Sequence, residues 1–383
     1  MTAKPSPMRN AMHSRPVGEV LIWSHRHVAA NVYSRDRVVY RLLEQSGIRL
    51  RFFRPRSSAL ADIEALFARL PRPDAVWVPS FRQRDVIAAA RYCRRNALPL
   101  IFDPLISAYD KQINERAKVT AGSPAGRRLL RHERALFGRA DIVVADTAGH
   151  AEYFATTLGV QPARIIVLPV GADESVFQFR PPNAPATRRP QALFFGSFIG
   201  LHGVPTLVEA ILRYAGPPIE IRLIGDGPAR ADAFSRLAHL DRDDGLVSVR
   251  FEHWVDIDTL ATRIAAADIV LGIFGTSAKA RRVVPNKVYQ ALAVGRPVIT
   301  ADTPAFDARF RTDNGGAIVF SEAGNPQALA QCLATWAHAP GARHTASAYA
   351  ARQLFDRHFA EPRLQAGLMQ ALDACDWGRR LMR

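Results

Sequence analysis

Cysteine is nearly missing from this chain. The three present, Cys93, Cys332 and Cys375, are odd in number, far apart and without CxxC or histidine-rich spacing, so neither a disulfide framework nor a metal site is supported. Long apolar runs are absent too: no stretch supplies the ~18 uncharged apolar residues that a membrane span requires. The opening MTAKPSPMRNAMHSRP lacks the apolar middle of a secretory signal, so the expected location is cytoplasmic, either free or peripheral at the inner face of the membrane. Lysine is the third scarcity. Only Lys4, Lys111, Lys118, Lys279 and Lys287 stand among 51 cationic residues. Arginine supplies the rest, which suits planar, bidentate capture of phosphates or carboxylates and fits equally the codon habit of a GC-rich genome.

Acidic residues run short chiefly in the first half: residues 1–175 hold 27 Lys/Arg against 16 Asp/Glu, within a formal net charge of +16. A field of that sign attracts nucleic acid, an anionic membrane surface or phosphorylated substrates. Arg84, Arg91 and Arg95 fall near one face of a predicted helix, giving either a membrane-facing patch or an ordinary solvated face. No recognition module is visible and the arginines are not interleaved with stacking aromatics, so nucleic acid is not an expected partner.

At 383 residues the chain exceeds one ordinary core, and 48% hydrophobic with 22% charged residues is a globular composition. After a tail over 1–17, short apolar segments alternate with helix-period segments from 18 to 175. One such helix spans 34–46, with Ser34 as its cap and Gly47 as its stop. Residues 176–190, VFQFRPPNAPATRRP, hold four prolines and read as a linker. The alternation restarts over 191–360, and 361–383 reads as a C-terminal helix that packs back on the first domain. The expected fold class is α/β, two Rossmann-like domains facing across a cleft, with the ligand outside the carboxyl ends of the strands.

Three strand-to-helix turns in the second domain could carry chemistry. In VPNKVYQALAVGRPVIT the helix starts at Asn286, places Lys287 and Gln290 in its first turns and stops at Gly295. That pattern suits an anion at the helix N-terminus, or merely a capped helix with a surface lysine. In IGDGPA, Gly225 and Gly227 flank Asp226 and let backbone N–H groups approach a diphosphate, as a plain turn also would. Arg230 at the sixth position breaks the dinucleotide fingerprint. FGSFIGLHGVPTLVEA offers Gly196, Ser197, His202 and Gly203. In the first domain, SHRH sets His25 and His27, and DPLISAYDK sets Asp103, Tyr109, Asp110 and Lys111, at strand ends that face the cleft if the sheet is parallel. Each is equally a structural group at a strand end.

Together with RADIVVADTAGHAEYF, RIIVLPVGADESVF and HWVDIDTLATRIAAADIVLGIF, these motifs resemble GT-B retaining glycosyltransferases of the family 4 type, well over about 140–330 and loosely before that. The resemblance implies a nucleotide-diphosphate sugar held by the second domain as donor substrate, a hydroxyl acceptor held by the first, and neither metal nor cofactor. On that reading Asp103, Tyr109, Asp110 and Lys111 would bind the acceptor, and His25 and His27 would contact the donor sugar or phosphate. Two departures stand out. Ser197 and His202 occupy the positions of the family's phosphate-binding arginine and lysine, and Arg282 and Gln290 those of its glutamate pair. The run Lys279, Arg281, Arg282, Lys287 could restore the missing charge, or be a solvated loop.

The expected reaction is hexosyl transfer, retaining, within cell-envelope polysaccharide or glycolipid synthesis, with an acceptor that suits a lipid-linked hydroxyl. Lys287, Arg282 and His202 would meet leaving-group charge with help from Arg281 and the N–H groups of Gly203 and Asn286. Gln290 would hold the ribose, with the turn at Gly225, Asp226 and Gly227 against the nucleotide. The alternative is a GT-B protein without turnover that binds or scaffolds at a membrane assembly site.

Overall fold

The structure is a computed structural model that describes residues 18–25, 32–116, 118–182, 189–240, 245–312, 314–339 and 341–374. The first half runs β1 (Glu19–Trp23), α1 (Ser34–Gln45), β2 (Arg49–Phe53), α2 (Ala61–Phe67), β3 (Ala75–Val78), α3 (Val86–Asn96) and β4 (Leu100–Phe102). It continues with α4 (Ala108–Asp110), α5 (Pro124–Phe137), β5 (Ile142–Ala145), α6 (Ala148–Thr156) and β6 (Ile165–Val167). The second half runs β7 (Gln191–Phe195), α7 (Val204–Leu212), β8 (Ile219–Ile224), α8 (Arg230–Leu237), β9 (Val247–Glu252), α9 (Ile257–Ala266) and β10 (Ile269–Leu271). There follow α10 (Asn286–Val294), β11 (Val298–Ala301), α11 (Ala308–Arg311), β12 (Ile318–Ser321), α12 (Pro326–His338), α13 (Gly341–His358) and α14 (Glu361–Ala374).

Two parallel six-stranded sheets result, ordered β2-β1-β3-β4-β5-β6 and β12-β11-β10-β7-β8-β9. The strands read as uniform apolar runs because helices cover both faces of a parallel sheet; β3, β4, β5, β7, β10 and β11 are buried at every residue. In both sheets the strand order reverses beside the first strand, β1 in one and β7 in the other, and there the carboxyl ends open a crevice.

Several elements bear directly on the site. Helix α10 has no solvent face: every residue from Lys287 to Val294 is buried, packed between the second sheet and α13. A helix apolar all round belongs inside, and it takes Lys287 and Gln290 in with it. Phe177, expected in a linker, is fully buried in the second domain's core, while 183–188 lie outside the described residues. Helix α14 lies on α1, with Leu364, Leu368 and Leu372 at helical spacing in the first sheet's core beside Val38 and Leu42. Each such leucine is worth about 1.5 to 3 kcal/mol. Ser34 does not cap α1: Tyr33 holds the cap position without a side-chain bond, and the Ser34 hydroxyl is buried without a partner.

Candidate functional site

A cleft of about 510 Å³ lies between the two sheets at their carboxyl ends. The first domain contributes Tyr33, Phe81, Leu105, Ile106, Lys111, Glu115, Asp146 and His150. The second contributes Gly196, Ser197, His202, Trp254, Lys279, Asn286, Lys287 and Gln290.

Lys287 is the most informative of these. It is 4% exposed, its Nζ donates to Gly272 O at 3.1 Å and sits 3.9 Å from the Phe194 ring centre. Among the described residues no carboxylate pairs with it, and burial alone pushes its pKa well below the ordinary lysine value. A buried ammonium without a counter-ion is costly unless a ligand supplies one. The first amides of α10, those of Asn286 and Lys287, have no acceptor within the helix, and Pro285 at the cap offers none. His202 stands nearby with Nδ1 buried and unpartnered; burial, then the Lys287 charge, push its pKa well below 6.5. Neutral His202 is therefore a hydrogen-bonding group rather than a second cation. Asn286 reaches across the cleft, Nδ2 donating to Tyr33 Oη at 3.1 Å.

The expected charge cluster is dispersed. Lys279 borders the cleft, but its ammonium is spent on buried Glu115 of the first domain. Arg282 leaves the cleft altogether: Nη2 donates to Asp110 Oδ1 at 2.6 Å, its guanidinium lies 4.4 Å from the Tyr153 ring centre, and its carbonyl accepts from Thr147 Oγ1 at 2.6 Å. Arg281 is exposed and borders a separate depression with Thr276, Asp302 and Glu322. Two of the four cations thus join the domains, one faces elsewhere, and Lys287 alone keeps its charge for the cleft.

The glycine turns behave differently from expectation as well. Gly203 has φ +65°, and its N–H donates to Gly200 O at 3.0 Å, so it is not available to a phosphate. Gly225 has φ +127°, and a Cβ there would overlap Gly196 O; its freedom serves backbone packing between two turns. Gly227 packs likewise on the Phe198 backbone, and Asp226 faces Arg230 at 3.4 Å and His253 at 3.2 Å. None of the three lines the cleft, whereas Gly196 and Ser197 do.

In the first domain Lys111 lines the cleft, its pKa lowered by burial and then by Arg116. Asp103 does not line it: at 1% exposure it accepts from Arg35 Nε at 2.9 Å, inside the domain. Tyr109 is buried with its N–H bonded to Glu133, and Asp110 is the partner of Arg282. His25 is held at Pro55 O (2.9 Å) and Asp85 (3.0 Å), away from the cleft, and His27 lies outside the described residues. What the sequence reading missed is Asp146–His150. His150 is 1% exposed, its Nδ1 meets the Asp146 carboxylate, and its Nε2 is buried without a protein partner at the cleft wall. The spacing in DTAGH just after β5 was the available signal: Asp146 precedes the cap Thr147, and His150 in the first turn of α6 reaches back to its carboxylate.

Comparison with known proteins assigns this architecture. Residues 14–171 match the family described as glycosyl transferase 4-like domain, and residues 189–338 match glycosyl transferases group 1. The chain belongs to the group 1 glycosyltransferases. Solved structures of the same GT-B fold include the Anabaena protein HepE in complex with UDP and glucose (TM-score 0.68, 14% identity, 93% of this chain and 99% of that one). Sucrose-phosphate synthase of Thermosynechococcus elongatus matches at TM-score 0.68 and 16% identity over 92% of this chain and 98% of that one. The lipopolysaccharide outer core galactosyltransferase WaaB matches at 0.61 and 13% over 93% and 99%. At such identities the likeness is one of fold. No curated protein matches by sequence. Among its described residues the glycosyltransferase has no helix long and apolar enough to cross a membrane and no cluster of metal-ligating side chains.

Proposed function

We propose that this glycosyltransferase transfers a sugar, with retention, from a nucleotide-diphosphate donor to a hydroxyl acceptor in cell-envelope polysaccharide or glycolipid synthesis. The observation that carries the donor reading is Lys287, a buried cation lacking a counter-ion at the N-terminus of a buried helix in the cleft. The UDP and UDP-glucose held by HepE support it, and the likeness to WaaB supports the envelope setting.

In the reaction the bond from the anomeric carbon to the diphosphate oxygen breaks, and a bond from that carbon to the acceptor oxygen forms on the same face. The acceptor proton passes to the leaving phosphate. Lys287 and the first amides of α10 meet the charge that develops on that phosphate, neutral His202 donates or accepts one hydrogen bond there, and Gln290 faces the ribose. His150, its tautomer fixed by Asp146, bonds a hydroxyl of the donor sugar through Nε2.

His150→Ala should therefore lower turnover about tenfold, the worth of one lost hydrogen bond, while the affinity for the bare nucleoside diphosphate stays unchanged. Steady-state rates set beside calorimetry of the diphosphate check this split. The replaced basic pair and glutamates favour a second reading, a protein that binds without turning over. A panel of UDP-, GDP- and dTDP-sugars separates the two: donor hydrolysis or transfer supports the enzyme, and tight binding with no turnover in any acceptor extract supports the scaffold.

A further inference from the structure

Helix α2 is amphipathic the wrong way round. It turns Ala61, Asp62 and Ala65 inward and leaves Leu60, Ile63, Leu66 and Phe67 exposed, Phe67 at 84%. A surface helix that served only the fold would bury the large side chains and show the small and charged ones. Instead the inward carboxylate of Asp62 is neutralised by Arg91 Nη2 at 2.6 Å and Arg95 Nη1 at 2.9 Å, both from α3. The arginine face expected on α3 is thus partly spent on anchoring α2. The fold spends two cations to hold this helix in an orientation that offers water about four large apolar side chains.

The charges left around that apolar face are of one sign. Arg54 and Arg56 precede α2 and Arg69 and Arg72 follow it, all four exposed. The acidic side chains nearby are engaged: Asp62 by Arg91 and Arg95, Glu64 by the backbone N–H groups of Arg56 and Ser57 at 2.7 and 3.0 Å, and Asp74 by the Glu19 N–H at 2.7 Å. Apolar side chains at the centre of a ring of arginines complement the boundary of an anionic bilayer, where the apolar groups enter the acyl region and each arginine near the headgroups contributes about 1 kcal/mol. A nucleic acid would leave the apolar centre unused, and a folded protein partner gives no reason for free cations at both ends when the carboxylates between them, Asp62 and Glu64, are already engaged.

We propose that α2 and its two flanking arginine pairs form the surface by which the protein docks on an anionic lipid bilayer. The loop 54–60 leaves the carboxyl end of β2, the end that faces the cleft, whereas Arg69 and Arg72 lead into the amino end of β3, so the docking face runs along the first sheet from its cleft end to the opposite end. The proposal stands whether or not the donor reading holds, because docking is read without any sugar.

The full chain should co-sediment with vesicles of phosphatidylcholine and phosphatidylglycerol, bind phosphatidylcholine alone at least tenfold more weakly, and lose anionic binding as salt rises. The double variant Leu66→Ser, Phe67→Ser should bind the anionic vesicles at least tenfold more weakly, with thermal midpoint and nucleoside diphosphate affinity unchanged, since both side chains are exposed. A second pair, Arg69→Glu with Arg72→Glu, should weaken binding and remove most of its salt dependence. Failure of the wild type to bind anionic vesicles, or undiminished binding by either double variant, would overturn the proposal. So would a lipid-free dimer that the serine variant dissolves, since the face would then be a protein interface.

Discussion

Lys287→Ala should cost this glycosyltransferase about 2 to 4 kcal/mol of transition-state stabilisation, a loss of roughly 30- to 1000-fold in kcat/KM, the scale found when one preorganised donor to a developing oxyanion is removed. The effect is expected to be large because Lys287 is the buried cation at the start of α10, whereas Lys111 and Arg116 line the cleft from the first domain. Lys279 and Arg282 are committed to Glu115 and Asp110, and Arg281 borders another depression. The buried ammonium also gives a proton signature. In the empty cleft burial disfavours its charged form, and a bound diphosphate favours it, so donor binding should take up protons. Calorimetry in buffers of different ionisation enthalpy measures that uptake, which should vanish in Lys287→Met. Unchanged turnover in the alanine variant would remove Lys287 from the site.

Arg35→Met is the second large effect, and it acts on stability. Arg35 is fully buried, with Nε on Asp103 at 2.9 Å and Nη1 on Leu168 O and Pro169 O at 2.8 and 2.6 Å. Removing it strands the Asp103 carboxylate, which typically costs about 3 to 5 kcal/mol. Denaturant unfolding should show that loss, whereas an acceptor-binding role for Asp103 would leave stability intact in Asp103→Asn and raise KM instead. The neighbouring Asp36 adds a pH dependence: burial, then the Asp103 charge, push it from 3.8 up to about 7. An acid raised in the folded state holds its proton while the unfolded chain has lost it. Its share of stability is therefore whole below about pH 4 and declines as pH rises to about 7, by up to about 4 kcal/mol. The stability difference between Asp36→Asn and the parent should accordingly grow over that interval in the variant's favour.

Local patterning was enough for most of the elements and for bringing Lys287, Gln290 and Asn286 to one cleft wall. Asn286 and Gly295 bracket α10 in sequence and in structure, and the repeated strand-helix alternation gave two parallel sheets. What could not be read was which partner each side chain finds across a domain boundary. Lys279 and Arg282 look like phosphate ligands by spacing, yet Glu115 and Asp110 stand more than 160 residues away in sequence and claim them in space. Asp103 and His25 sit at strand ends as expected, but a strand end supplies side chains to the protein interior as well as to the crevice. Asp146–His150 was visible as a spacing and not as a location, since a spacing can bring two groups together across a helix start without telling what they face. Ser34 lost the cap of α1 to a position one residue earlier, within the ordinary uncertainty of helix ends.

The packing of Gly225 on Gly196 and of Gly203 on Phe274 has a consequence for anyone redesigning donor preference. Here the turns after β7 and β8 and the strand end after β10 are keyed into one another through bare backbone, so a side chain introduced at one displaces the next, and the displacement ends at Gly196, beside the Lys287 ammonium. A graft that takes one of them without the other two therefore brings a backbone mismatch with it.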